Sequence, residues 1–159
     1  MLCFGRRRSV TGVADDAELE AIIANGRQAA IVAVNKDGYP QPSNVSYKWY
    51  ADEELARVTT TGTRLKAKQL RRDPRCSLYV PGKHFWQFAV LESDAEISAV
   101  AKTPGDDVCR ELLDLHTDLL GDRGDEDVFF ASMIEQQRLV IRLRPKRIYG
   151  LYVERPPGS

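Results

Sequence analysis

Histidine is scarce in this chain: only His84 and His116 occur among its 159 residues, far apart in sequence. A metal centre needs clustered ligands, so neither residue points to one. Cys3, Cys76 and Cys109 are odd in number, widely spaced and without a Cys-x-x-Cys pair, which indicates neither a disulfide framework nor a zinc site. No long apolar run occurs, and Arg6-Arg7-Arg8 lacks the apolar stretch that follows the basic start of a secretory signal. Net charge is missing as well. The 23 basic and 23 acidic side chains cancel, which argues against a general nucleic-acid or membrane-surface protein but leaves room for local basic patches. The glycine patterns of dinucleotide-binding and P-loop folds are absent, as is the Gly-x-Ser-x-Gly turn of the α/β hydrolases. These absences, with 43% hydrophobic and 29% charged residues, predict one cytoplasmic globular domain over residues 14–153. Residues 1–13 read as a flexible arm and residues 154–159 as a tail.

The chain is organised around Thr59-Thr60-Thr61-Gly62-Thr63-Arg64-Leu65-Lys66, continuing to Asp73-Pro74. It reads as a strand end, a hydroxyl-rich turn and a short basic helix capped by Thr63. Arg64 and Lys66 then fall in the first helical turn, where unpaired backbone N–H groups and the macrodipole already present positive charge. Each cation is unfavourable there by ~0.3–1 kcal/mol, and a bound phosphate between them and the N–H groups would remove that cost. At 100° per residue Arg64, Lys68, Arg71 and Arg72 share one face opposite Ala67 and Leu70, with Lys66 bordering the apolar side. The four-residue stripe reads as a solvated face, and an ordinary surface helix is the alternative to an anion site. The stripe has no interleaved aromatics, so single-stranded nucleic acid is a weak fit.

Before this stretch, Asp15 or Asp16 caps a helix carrying Leu19, Ile22 and Ile23, with Asn25-Gly26 as its stop. Ala29–Val34 and Gln41–Tyr50 form a hairpin through Asp37-Gly38, and Leu55–Thr60 returns from a second turn. After it come strands at Cys76–Val80 and Phe85–Leu91, with the sheet continuing through Ala95–Ile97. Thr103 and Pro104 read as N-cap and first residue of a helix with the stripe Val108, Leu112, Leu115, Leu119, ending at Gly121. A short helix marked by Val128, Phe129 and Met133 precedes strands at Arg138–Leu143 and Arg147–Tyr152. Many short strands joined mostly by hairpins predict a mainly β fold with a few helices, an antiparallel barrel.

Three segments, Gly38–Val45, Arg64–Arg75 and Trp86–Val90, resemble in order and spacing the flavin/deazaflavin oxidoreductases. That superfamily shares the FMN-binding split β-barrel fold of pyridoxamine 5′-phosphate oxidase, and the likeness is closest to its actinobacterial branch, which binds coenzyme F420. The resemblance implies a homodimer with the cofactor between two barrels, F420 or alternatively FMN. It implies reduction of a small electron-poor substrate such as an enone, quinone, imine or tetrapyrrole, with no dedicated catalytic side chain and no nucleic-acid or membrane partner. Phosphate contacts map onto Thr59, Thr60, Thr61, Arg64 and Lys66. Ser43 and Asn44 match the strand bordering the ring system, and Trp86 an aromatic near the cofactor. From the residues alone, Ser43 closing a turn, Asn44 satisfying a sheet edge and Trp86 packing in the core remain open. Phe85, Trp86 and Phe88 are expected at alternating strand positions, with at least one at a dimer interface.

Overall fold

The computed structural model describes residues 14–154; the expected arm at 1–13 lies outside them, as does the expected tail beyond its first residue. Strand β1 (Gln28–Val34) alternates, burying Ala29, Ile31 and Ala33. It pairs antiparallel with β2 (Pro40–Tyr50). Their connection is held by the Asn35 side chain, which accepts from the Asp37 and Tyr39 N–H groups, while Gly38 takes φ 86°. β2 turns into β3 (Leu55–Thr61), with Tyr47 opposite Val58. β3 pairs with β6 (Arg138–Leu143), placing Thr59 opposite Val140 and Thr61 opposite Arg138.

The long β5 (Gln87–Ile97) closes the sheet. Its second half joins β6, its first half pairs with β4 (Arg75–Pro81), and β4 pairs back to β1. The result is a six-stranded barrel with β7 (Arg147–Tyr152) added along the other edge of β5. The mainly β, split-barrel expectation holds, and β6 and β7 have the bounds read from the sequence.

The core fills the barrel and extends under α1 (Asp16–Asn25), which packs Leu19, Ile22 and Ile23 against it. Asp15 caps α1 in a reciprocal box with Glu18. Fully buried Tyr47 donates its hydroxyl to the Ile23 carbonyl at 2.5 Å. Gly26 ends α1 in extended conformation, and a Cβ there would strike the Tyr47 hydroxyl and Val80. Its lack of a side chain therefore makes room for that hydrogen bond.

Other boundaries differ from expectation. The third helix, α3 (Asp107–Leu120), is capped by Asp106 and does not start at Thr103-Pro104. The Asp106 carboxylate collects the Lys102, Thr103 and Cys109 N–H groups, outcompeting the hydroxyl cap. Its buried face is Cys109, Leu112, Leu113 and Leu115, with Val108 and Leu119 only half-buried. In α4 (Glu126–Glu135) Phe130 is the buried residue and Val128 is exposed. Phe85 and Trp86 are not strand residues. The Gln87 N–H bonds to the His84 carbonyl and the Trp86 N–H to His84 Nδ1, folding this segment into a turn before β5. Phe88, within β5, stacks on Tyr79 with centroids 5.5 Å apart.

Candidate functional site

The strand end at Thr59–Thr61 and helix α2 (Leu65–Arg72) form one wall of a cleft of about 550 Å³. β2 forms the other, through Gln41, Ser43, Asn44, Val45 and Ser46. Thr63 does not cap α2. The N-cap position belongs to Arg64, which has extended backbone, and no side chain among the described residues caps the first turn. The Thr61 carbonyl instead accepts from the Arg64 N–H at 3.0 Å, a tight turn that carries Thr63 out to solvent. An uncapped helix start thus faces the cleft, a location that favours an anion.

Three cations converge there: Arg64, Lys66 and Arg138 all line the cleft, and among the described residues no carboxylate does. Lys66 Nζ donates to the Asn44 carbonyl at 3.0 Å, bridging α2 to β2. Burial pushes the Lys66 pKa down, and the neighbouring Arg64 and Arg138 guanidinium groups push the same way. Arg138 is lowered for the same two kinds of reason, burial first and then Arg64. It donates from Nη2 to Thr59 Oγ1 at 2.8 Å, while its buried Nε has no partner among the described residues. Like charges crowded without a counter-ion, beside an orphaned buried donor, are the signature of a site built for an anion. The volume lies within the range of about 300–1,000 Å³ typical of small-molecule sites, so the residues present fit a phosphate-bearing cofactor.

Seven of the sequence-derived candidates, Ser43, Asn44, Thr59, Thr60, Thr61, Arg64 and Lys66, line this one cleft. Trp86 does not; it sits in the turn between β4 and β5, 40% exposed and edge-on to Phe85. Arg138, Gln41 and Gln69 were missed. Gln69 is buried and donates to Gln41 at 2.7 Å, tying α2 to β2 a second time. Arg138 is a charged first residue on an apolar strand, a faint signal that gains meaning only once β6 is known to pair with β3. In the basic stripe, Arg71 donates to the Gly62 carbonyl and Arg72 to the Val34 carbonyl. Those two guanidinium groups fasten α2 to the barrel. Among the described residues no cluster of histidine, cysteine or carboxylate side chains could hold a metal, and no helix is long and apolar enough to cross a membrane.

A closed barrel of this topology with a cationic cleft beside its β3–α2 corner is a split β-barrel of the flavin-binding oxidoreductase type. The chain belongs to the pyridoxamine 5′-phosphate oxidase family, whose model matches residues 15–152. Among solved structures, the fold is similar to that of an F420 reductase, with TM-score 0.63 and 20% identity over 86% of this chain and 98% of that one. A conserved hypothetical protein from Mycobacterium tuberculosis is similar with TM-score 0.66 and 18% identity, covering 97% of this chain and 98% of that one. An FAD-binding protein from Mesorhizobium loti matches with TM-score 0.60 and 18% identity, over 87% and 94% of the two chains.

Proposed function

We propose that the protein is a cytoplasmic oxidoreductase that uses coenzyme F420, with FMN as the alternative cofactor, and reduces a small electron-poor substrate. The observation that carries the reading is the convergence of Arg64, Lys66 and Arg138 on a cleft without a carboxylate, at an uncapped helix start. In this reading these cations and the Thr59–Thr61 segment hold the cofactor phosphate, and Ser43 and Asn44 border the ring system. The preference for F420 draws on the segment resemblance and on the F420 reductase among the similar folds. When bound, the deazaflavin supplies a hydride donor.

The chain's own contribution is to orient and shield that ring. Lys66 spans from α2 to the β2 backbone, and its contact with the Asn44 carbonyl fixes the spacing between the phosphate end and the ring end. One chain leaves the cleft open on a side, so we infer a homodimer with two equivalent sites. The exposed Phe85 and Trp86 turn would then reach the site of the second copy, or pack against it.

The test is titration of purified protein with F420, followed by mixing with reduced F420 and a panel of enones, quinones and biliverdin. Micromolar or tighter binding lost in Lys66→Ala, with substrate-dependent cofactor oxidation, is the expected result. Binding without turnover would make the protein a carrier or sensor, and equal titration by both proteins would remove the site.

A further inference from the structure

A second hollow, of about 360 Å³, adjoins the cationic cleft, and its two walls differ in chemistry. The helical wall is apolar, built from Leu112, Leu115 and Leu119 of α3 with Phe129 and Met133 of α4. Leu112, Leu115, His116 and Leu119 stand at i, i+3, i+4 and i+7, so His116 is the polar member of that stripe. The barrel wall is polar and basic. It presents Arg27 just before β1, Ser46 and Thr59 from the strands, and Arg138 at the head of β6. The gap between the walls is set from outside the hollow: Glu111 takes Arg142 of β6 at 2.8 and 2.5 Å, and Tyr50 of β2 donates to Asp118 at 2.6 Å. Arg27 is pinned through its carbonyl, which accepts from the Tyr47 N–H at 2.9 Å.

Among the described residues no carboxylate lines this hollow either. The acidic side chains of α3 beyond its first turn are turned to other partners: Glu111 to Arg142, Asp114 to Arg123 and Asp118 to Tyr50. Arg138 keeps a buried Nε with no partner among the described residues. A neutral apolar ligand would make no use of the two guanidinium groups, and an inorganic anion would leave the leucine wall wet. Both walls are satisfied by an apolar ring that carries one carboxylate, because a carboxylate accepts two parallel hydrogen bonds from a guanidinium fork. At about 30 Å³ per water in the liquid, the hollow has the volume of roughly a dozen waters, which suits a one- or two-ring acid.

We propose that this hollow is a regulatory site for a one- or two-ring aromatic monocarboxylate, which binds without being reduced and lowers the affinity of the neighbouring cleft for its cofactor. The ring lies against Leu119, Phe129 and Met133, and the carboxylate accepts from Arg138 and Arg27. Ser46, Thr59 and Arg138 line both spaces, so Arg138 stands between this carboxylate and an anion held in the cleft. Each anion draws on the same guanidinium and repels the other, and the resulting coupling is reciprocal. The coupling, though not the site, rests on the reading of the cleft as the phosphate end of a cofactor site.

The test is calorimetric titration of the full chain with 2-naphthoate and with its uncharged counterpart, 2-naphthamide. Wild type binds naphthoate, and naphthamide binds about tenfold more weakly or worse. Arg27→Ala, at an exposed position that does not line the cleft, weakens naphthoate about tenfold and leaves F420 titration unchanged. The chain has two methionines, Met1 and Met133, and magnetisation transfer from the naphthoate ring protons reaches the Met133 methyl group, a readout that needs no variant. Saturating naphthoate weakens F420 binding about fivefold or more, up to a fixed limit, and saturating F420 weakens naphthoate by the same factor. No naphthoate binding at millimolar ligand, equal affinity for naphthamide, unchanged affinity in Arg27→Ala, or no transfer to Met133 overturns the site. Independent binding of the two ligands overturns the coupling. So does a weakening that grows without limit, which would mean that the cofactor itself fills the hollow. Absence of F420 binding, with naphthoate still bound and still dependent on Arg27, would instead overturn the cofactor reading and leave the site standing.

Discussion

Arg138 reaches back along the β3–β6 seam: its backbone pairs with Thr61, yet its guanidinium donates to Thr59 Oγ1 at 2.8 Å, two residues away on the same strand face. That reach points a third positive charge into the cleft beside Arg64 and Lys66. Replacing Arg138 with Ala removes a charge-assisted donor, which is worth about 1.5–3 kcal/mol. F420 affinity is expected to fall roughly 10- to 150-fold, by the conversion of 1.4 kcal/mol per factor of ten. Arg138→Lys keeps the charge but not the fork and is expected to restore only part of the binding. Titration of the three proteins side by side checks both statements.

Lys66 supplies a pH signature. Its pKa is lowered first by burial and then by Arg64 and Arg138. Its ammonium is therefore lost below the ordinary lysine range, and affinity for a phosphate-bearing ligand is expected to fall as pH rises through that point. The unliganded fold shows the opposite slope. Between the lowered folded pKa and the ordinary unfolded one, the unfolded chain binds more protons, so stability rises with pH across that window. Both slopes should disappear in Lys66→Met. Cofactor titrations and melting curves across an alkaline pH series would reveal slopes that persist.

Tyr47 tests the join between α1 and the barrel. Its hydroxyl is the partner of the Ile23 carbonyl, and burial holds its pKa well above the ordinary tyrosine value. Tyr47→Phe leaves that carbonyl without its side-chain donor and is expected to destabilise the fold by about 1–3 kcal/mol. Gly26→Ala places a methyl group against the same hydroxyl, and overpacking of this kind costs about 1–3 kcal/mol. Combining the two should cost less than the sum, because removing the hydroxyl relieves the clash. Denaturant unfolding of the single and double variants measures the difference.

Asp106 governs the start of α3. Desolvation alone would raise its pKa, but the Cys109, Lys102 and Thr103 N–H groups outweigh it and hold the carboxyl at about 2. Its contribution is present above the unfolded aspartate value and is lost as pH falls toward about 2. Asp106→Ala is expected to destabilise by about 0.5–2 kcal/mol at neutral pH, the range for a lost helix cap. The difference from wild type should shrink on acidification. A constant difference down to pH values near the folded pKa would show that the cap is not the cause.

The barrel was legible in the sequence wherever alternation and turn chemistry were local. β6 and β7 could be bounded because each is a short apolar run on either side of Pro145. The site was legible in its β3–α2 corner, since threonines, glycine and two cations lie within a few residues of one another. Helix starts were not, because the choice between Thr63 and Arg64, or between Thr103 and Asp106, is settled by which side chain reaches the free N–H groups in three dimensions. Phe85 and Trp86 read as strand because aromatics favour strands, and the His84 hydrogen bonds override that preference. Arg138 stands 79 residues from Thr59, and a pairing at that distance carries no local signal.

The central claim is that Arg64, Lys66 and Arg138 form the phosphate end of an F420 site. The most direct measurement is the absorption spectrum and mass of the cofactor that co-purifies with the protein from a host making both flavins and deazaflavins. F420 bound to wild type, and lost from an Arg64→Ala, Lys66→Ala, Arg138→Ala triple variant that retains its fold, is the predicted result. FMN in its place would contradict the choice of cofactor, and cofactor retained by the triple variant would contradict the site.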